Sequence, residues 1–172
     1  DPSDEAAVEA WLQGRAEGQD WVPVGASDSH AWSTEAPGTL LQAALGWPRT
    51  ELGLVGDESP IEALAAGRTI LGDPSSALRF WATRGSDVVG PGGELEGAMT
   101  LHIEASTMES GMRLQVLRLP DEVIEERELG ADSVHWCIEV ESSALYTARI
   151  WPAGGGAYLQ RGVSIANAIE LR

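Results

Sequence analysis

The sequence predicts an α/β segment over residues 1–74 followed by an all-β domain over residues 75–172, an antiparallel β-sandwich. Three observations carry that expectation. Helix and strand patterns alternate up to about residue 74. Beyond it, short β-rich runs recur with turn-prone segments between them. Hydrophobic residues make up 43 % of the 172 residues, enough for a packed core.

In order along the chain, residues 3–17 read as a helix. Ser3 is placed as its N-cap, Asp4 and Glu5 lie in the first turn, and Ala7, Val8, Trp11 and Leu12 form one apolar stripe. Gly14 and Gly18 are its expected end. "DWVPVGAS" follows as a short strand over Trp21–Gly25, with Pro23 arguing against a fully paired position. Ser29 to Gly38 is polar, as a loop over a site would be, and "TLLQAALGW" suits a short helix closed by Gly46 and Pro48. "TELGLV" reads as a strand. "SPIEALAAG" carries its own helix punctuation: Ser59 at the cap, Pro60 at the first position, Glu62 at the third and Gly67 at the end. "RTIL" then reads as a strand.

Seven β-rich runs make up the second part: "ALRFWATRG", "AMTLHIEAST", "MRLQVLRL", "EVIEERELG", "HWCIEVES", "ALYTARIWP" and "GVSIANAIEL". Trp81, Trp136 and Trp151 are expected in the sandwich or at its rim. "GPGGELEG" is glycine-rich but opens no helix, so it reads as a turn and not as a phosphate cradle. The acidic run "DEVIEERE" reads as a solvated strand face.

Charge excludes several partners. The formal net charge is −16, from 27 acidic and 11 basic residues, and every basic residue is Arg. Such a surface repels nucleic-acid phosphates and anionic membranes. No apolar run approaches the roughly 20 residues that cross a bilayer. No signal-peptide pattern is present, and the compartment stays open. The single cysteine, Cys137, excludes an internal disulfide and reads as a buried structural thiol among apolar neighbours. His102 and His135 fall in strands and read as core or face residues rather than ligands.

The segment "GASDSH", residues 25–30, holds the candidate chemistry. Residues two apart in an extended backbone share a face, so Asp28 and His30 converge just beyond the Trp21–Gly25 strand. Strand ends of this kind carry the chemistry of α/β barrels. A carboxylate with an imidazole suits Zn²⁺, Mn²⁺ or Fe²⁺. Ser27 and Ser29 could orient those two ligands by hydrogen bonds. An Asx turn without metal is the alternative. No Gly-x-Ser-x-Gly, His-Glu-x-x-His or Cys-x-x-Cys pattern competes.

Several stretches then fall in a telling order. "GASDSHAW" is followed by "GWPRTEL", by "SPIEALAAGRTILGDPSSALRFW" and by a β-rich tail ending "GVSIANAIEL". Together they resemble the C-terminal portion of PHP-type (polymerase and histidinol phosphatase) metallohydrolases, closest to the CehA/McbA-like branch. The resemblance covers essentially the whole chain; Ala168 stands where the family prefers proline.

That resemblance implies the end of a PHP-like α/β metal domain followed by a β-sandwich. It implies Asp28 and His30 as the last metal ligands, divalent ions (Zn, Mn or Fe) as cofactors, and metal-activated water attacking a phosphoester or a similar polar ester. It also sets Arg49 either to face an anionic substrate or to pin its loop. The family's other ligands, including a His-x-His pair, lie upstream of this segment, and residues 1–27 hold no histidine. The isolated chain is therefore expected to be inactive. An upstream segment of the same protein, or a separate chain, would complete the domain. A partial metal domain exposes strand edges and apolar surface, so association into an oligomer is expected. The alternative is a non-catalytic β-sandwich module that binds a protein or glycan and carries a vestigial metal loop.

Overall fold

The computed structural model describes residues 2–25, 49–130, 132–153 and 163–172. Its elements are α1 (Pro2–Ala16), β1 (Arg49–Leu52), α2 (Pro60–Ala65), β2 (Thr69–Gly72), β3 (Ser76–Arg84), β4 (Asp87–Val89), β5 (Glu94–Leu95), β6 (Met99–Thr107), β7 (Met112–Arg118), β8 (Glu122–Leu129), β9 (Val134–Val140), β10 (Ala144–Pro152), β11 (Ser164–Ala166) and β12 (Ile169–Leu171). They form two sheets facing each other, as the sandwich expectation requires. One has eight strands: a path β1-β2-β11-β10-β12-β5, with β7 on the other side of β10 and β8 beyond β7. The other has four, in the order β4-β3-β6-β9. Every pairing is antiparallel except the short one between β12 and β5.

Alternation of side chains builds the core. On β6, Met99, Leu101, Ile103 and Ala105 point inward, while Thr100, His102 and Glu104 point to the opposite face. Leu78, Phe80 and Ala82 of β3 and Trp136 and Val140 of β9 join them. Met112, Leu114 and Val116 of β7 and Tyr146, Ala148 and Ile150 of β10 supply the facing layer. A bulge between Val116 and Leu117 breaks the alternation of β7, so both residues are buried. β8 ends the eight-stranded sheet as a charged edge strand, which suits the solvated reading of "DEVIEERE".

The eight-stranded sheet is covered on its other face by α1. Trp11 and Leu12 bury against Ile165 of β11, with Val8, Leu71 and Leu119 around them. The expected stripe on α1 thus forms, although Ala7 stays exposed. The helix starts at Pro2, so Ser3 lies inside the first turn and is not its cap; the fixed φ of proline suits that first position. Gly14 does not end the helix either. A Cβ there would lie 2.6 Å from the Trp21 ring, so Gly14 lets that ring pack on the helix. α1 ends two residues before Gly18.

Trp21–Gly25 is not a strand, which corrects the sequence expectation. Its backbone groups are committed elsewhere. The Trp21 carbonyl accepts from Trp11 Nε1 at 3.0 Å, Pro23 has no N–H to give, and Gly25 is held by a side chain instead of a ladder. The strand expected over residues 50–55 stops at Leu52. The capping box at α2 forms as read, with Ser59 and Glu62 bonded reciprocally, and Glu62 is held below the usual carboxylate range by its hydrogen bonds from Ser59. The helix expected over "TLLQAALGW" lies outside the described residues.

The α/β segment and the sandwich share one sheet. β2 pairs with β11, so β1 and β2 extend the eight-stranded layer. Asn167, 1 % exposed, ties the same region together: its Nδ2 donates to the Gly67 carbonyl at 2.7 Å, and its backbone N–H donates to Thr69 at 2.9 Å. "GVSIANAIEL" is consequently two strands, β11 and β12, broken at Asn167–Ala168. β4 and β5 were not expected from the sequence. No described helix is long and apolar enough to cross a membrane.

Candidate functional site

Asp28, His30, Ser27 and Ser29 lie outside the described residues, so that donor set is known from sequence alone. The segment's approach is described. Gly25 N–H donates to Thr50 Oγ1 at 2.8 Å, and the Thr50 hydroxyl donates back to the Gly25 carbonyl at 3.0 Å. The start of "GASDSH" is thereby clamped to β1, inside the "GWPRTEL" stretch. Arg49, one residue away, is exposed, and its guanidinium bonds Glu51 through Nε at 2.8 Å and Nη2 at 2.5 Å. That pairing fits loop pinning as readily as a substrate contact.

A second constellation stands on the outer face of the four-stranded sheet. Trp81 of β3 lies opposite His102 of β6, and His102 lies opposite Cys137 of β9. His135 shares the Cys137 face, two residues before it. Cys137 Sγ is 3.2 Å from His102 Nδ1 and 3.8 Å from His135 Nε2. One ligand atom from each of the three residues lies within 4.8 Å of the others. The far nitrogen of His102, Nε2, is 2.8 Å from Thr83 Oγ1. Trp81 stacks on His102 at 5.1 Å with an interplanar angle of 6°, and on His135 at 5.9 Å and 12°.

The position of Cys137 corrects the sequence reading, since the thiol is exposed. The reason is the phase of β9. Trp136 and Val140 take the core side, so His135, Cys137 and Glu139 take the other. His102 and His135 are face residues, as one branch of the sequence reading had them. Partial burial, then the neighbouring His135, hold the His102 imidazole below its usual range, which favours the neutral ring that ligates metals. The signal for this cluster was legible on each strand separately. Met99, Leu101, Ile103 and Ala105 in "MTLHIEA" assign His102 outward, as Trp136 and Val140 assign Cys137. Which strand would lie beside which was not written in either stretch.

Trp136 and Trp151 are buried at 7 % and 9 % exposure, and Trp81 is half-buried on the outer face. Arg127 lies over the Trp136 ring at 4.0 Å and Arg149 over Trp151 at 4.7 Å. Near the C-terminal end of α1 a groove is lined by Arg15, Arg118 and Arg172 among others. Each of the three is ion-paired: Arg15 to Asp20, Arg118 to Glu122, and Arg172 to Glu94 and Glu170. The groove therefore offers no unpaired arginine to an anion. Compared with known proteins, the chain matches no family model, no curated protein and no solved structure.

Proposed function

We propose that the chain is the C-terminal part of a PHP-type metal-dependent hydrolase, the end of its α/β metal domain continued by a β-sandwich. The order of stretches from Gly25 to Leu171 supports the reading, and one geometric observation carries it. The reciprocal Gly25–Thr50 hydrogen bonds bring two segments of that order together, the start of "GASDSH" and Thr50 of "GWPRTEL". Asp28 and His30 would hold a divalent ion, Zn, Mn or Fe, just beyond this clamp, and Ser27 and Ser29 would orient them. The ion would supply activation of water and charge stabilisation for hydrolysis of a phosphoester or similar polar ester. Arg49, beside the clamp, would either meet an anionic substrate on leaving Glu51 or pin its loop through that pairing. The remaining ligands would come from an upstream segment or a separate chain.

The test is metal-dependent hydrolysis of a chromogenic phosphodiester by the whole protein that carries this chain. Asp28→Ala and His30→Ala are each expected to lower kcat/KM by more than about 100-fold, because losing only a partner of a metal ligand already costs about 10–100-fold. Undiminished activity in the double variant would contradict the proposal.

A non-catalytic binding module is the second reading, favoured by the half-buried Trp81 on the outer sheet face beside the two histidines. It is separable from the first by a binding partner whose affinity falls on Trp81→Ala while Asp28→Ala leaves it unchanged.

A further inference from the structure

We propose that His102, His135 and Cys137 form a zinc-binding site on the outer face of the four-stranded sheet. Its donors stand on the four-stranded sheet, whereas Gly25, where the "GASDSH" stretch begins, is clamped to β1 of the other sheet.

Sheet geometry brings the donors together. Neighbouring strands lie about 4.8 Å apart, so His102 and Cys137, directly paired, start within reach. His135 stands one pleat along on the same face, and its ring leans back toward the thiol. The separations suit one tetrahedral ion. With Zn–S near about 2.3 Å and Zn–N near about 2.0–2.1 Å, tetrahedral angles put sulfur and nitrogen about 3.6 Å apart. The two sulfur–nitrogen separations, 3.2 and 3.8 Å, lie on either side of that value. The three ligand atoms lie within 4.8 Å of one another, so side-chain rotation would close the remaining edge around an ion.

Surrounding groups hold the donors ready. With Thr83 Oγ1 accepting from the Nε2–H of His102, the lone pair sits on Nδ1, the atom that faces the sulfur. Trp81 stacks nearly parallel to both imidazoles, which limits their rotation and shields one side of the site. A thiol–imidazole nucleophile would need only one of the two rings; a metal uses both.

The donor set narrows the ion to soft and borderline metals, of which zinc is the one proposed. One thiolate and two imidazoles suit zinc and disfavour magnesium, calcium and manganese, which take oxygen donors. Binding replaces the thiol proton: the S–H bond breaks, a Zn–S bond forms, and one proton leaves to solvent for each ion bound. Three protein ligands leave a fourth position open on the exposed face. That is the arrangement of reactive rather than closed structural zinc sites.

Cobalt(II) tests the site directly, because Cys137 is the chain's single cysteine and any thiolate-to-cobalt charge transfer must come from it. The full chain, carrying Asp28→Ala/His30→Ala to silence the other donors, is reduced with a phosphine and titrated with Co²⁺. A near-ultraviolet charge-transfer band with tetrahedral visible bands is expected, saturating at one ion per chain and erased by one equivalent of Zn²⁺ but not by excess Mg²⁺. Cys137→Ser should abolish the charge-transfer band, and His102→Ala or His135→Ala should weaken zinc binding at least about 100-fold, with circular dichroism unchanged. A folded chain that develops no charge-transfer band, or one whose zinc affinity survives Cys137→Ser, would overturn the assignment. Neither result bears on the hydrolase reading, which rests on other residues.

Discussion

Ile103→Ala is expected to lower the unfolding free energy by about 2–5 kcal/mol, while His102→Ala, one residue away, changes it by less than about 1 kcal/mol. Ile103 is fully buried on β6, with Phe80 of β3 and Trp136 of β9 paired on either side of it. It shares one core with Leu114, Val116 and Ile150 of the facing sheet, all equally buried. Removing three carbons there leaves a cavity between two sheets whose strands are each tied to neighbours, so collapse around the gap is limited. His102 points to the opposite face and gives up its contacts there with Thr83, Trp81, Cys137 and His135. Urea unfolding reads both: the midpoint should drop strongly for Ile103→Ala at an unchanged slope and shift little for His102→Ala. A larger loss for His102→Ala than for Ile103→Ala would mean that the faces of β6 are assigned the wrong way round, and the metal cluster would go with them.

Gly92→Ala is expected to cost a comparable amount, about 2–5 kcal/mol, for a different reason. Gly92 has φ of +78°, in the left-handed region, and a Cβ there would lie 2.3 Å from the Ala66 carbonyl oxygen and 2.7 Å from the Gly67 carbonyl carbon. Both are backbone atoms, so no side chain can swing aside. A left-handed conformation alone costs about 1–2 kcal/mol and forced overpacking about 1–3 kcal/mol. Displacing Gly67 would also disturb its hydrogen bond from the buried Asn167 amide. Gly85 supplies the control. Its φ is +59° but nothing lies within 4 Å of its Cβ position, so Gly85→Ala should show the conformational cost alone. Equal melting temperatures for the two variants would show that the 66–67 and 92 backbones do not touch.

Much of this architecture was legible because local patterns were strong. The Ser59–Glu62 capping box and Pro60 delimit α2 without tertiary help. The alternation in "AMTLHIEAST" fixes both the strand and its buried face. What escaped was set by contacts distant in sequence. Trp21–Gly25 has strand composition, but Trp11 and Thr50 capture its backbone groups. β2 joins the sandwich through β11, nearly a hundred residues away, and Asn167 breaks "GVSIANAIEL" because its amide and backbone turn to Gly67 and Thr69. Cys137 was misread because apolar neighbours suggest burial, whereas in a strand the residues on either side define the opposite face. Among the candidate site residues, Arg49 is placed with its Glu51 partner. Asp28 and His30 lie outside the described residues, so for them the sequence pattern and the Gly25 clamp are the whole argument.

The zinc environment itself is the most direct measurement. A zinc K-edge X-ray absorption spectrum would be recorded on the full chain with Asp28→Ala/His30→Ala and one equivalent of zinc. One sulfur at about 2.3 Å beside nitrogen or oxygen donors at about 2.0–2.1 Å is the expected shell. A shell of light atoms alone, with no sulfur, would contradict a metal centre built from His102, His135 and Cys137.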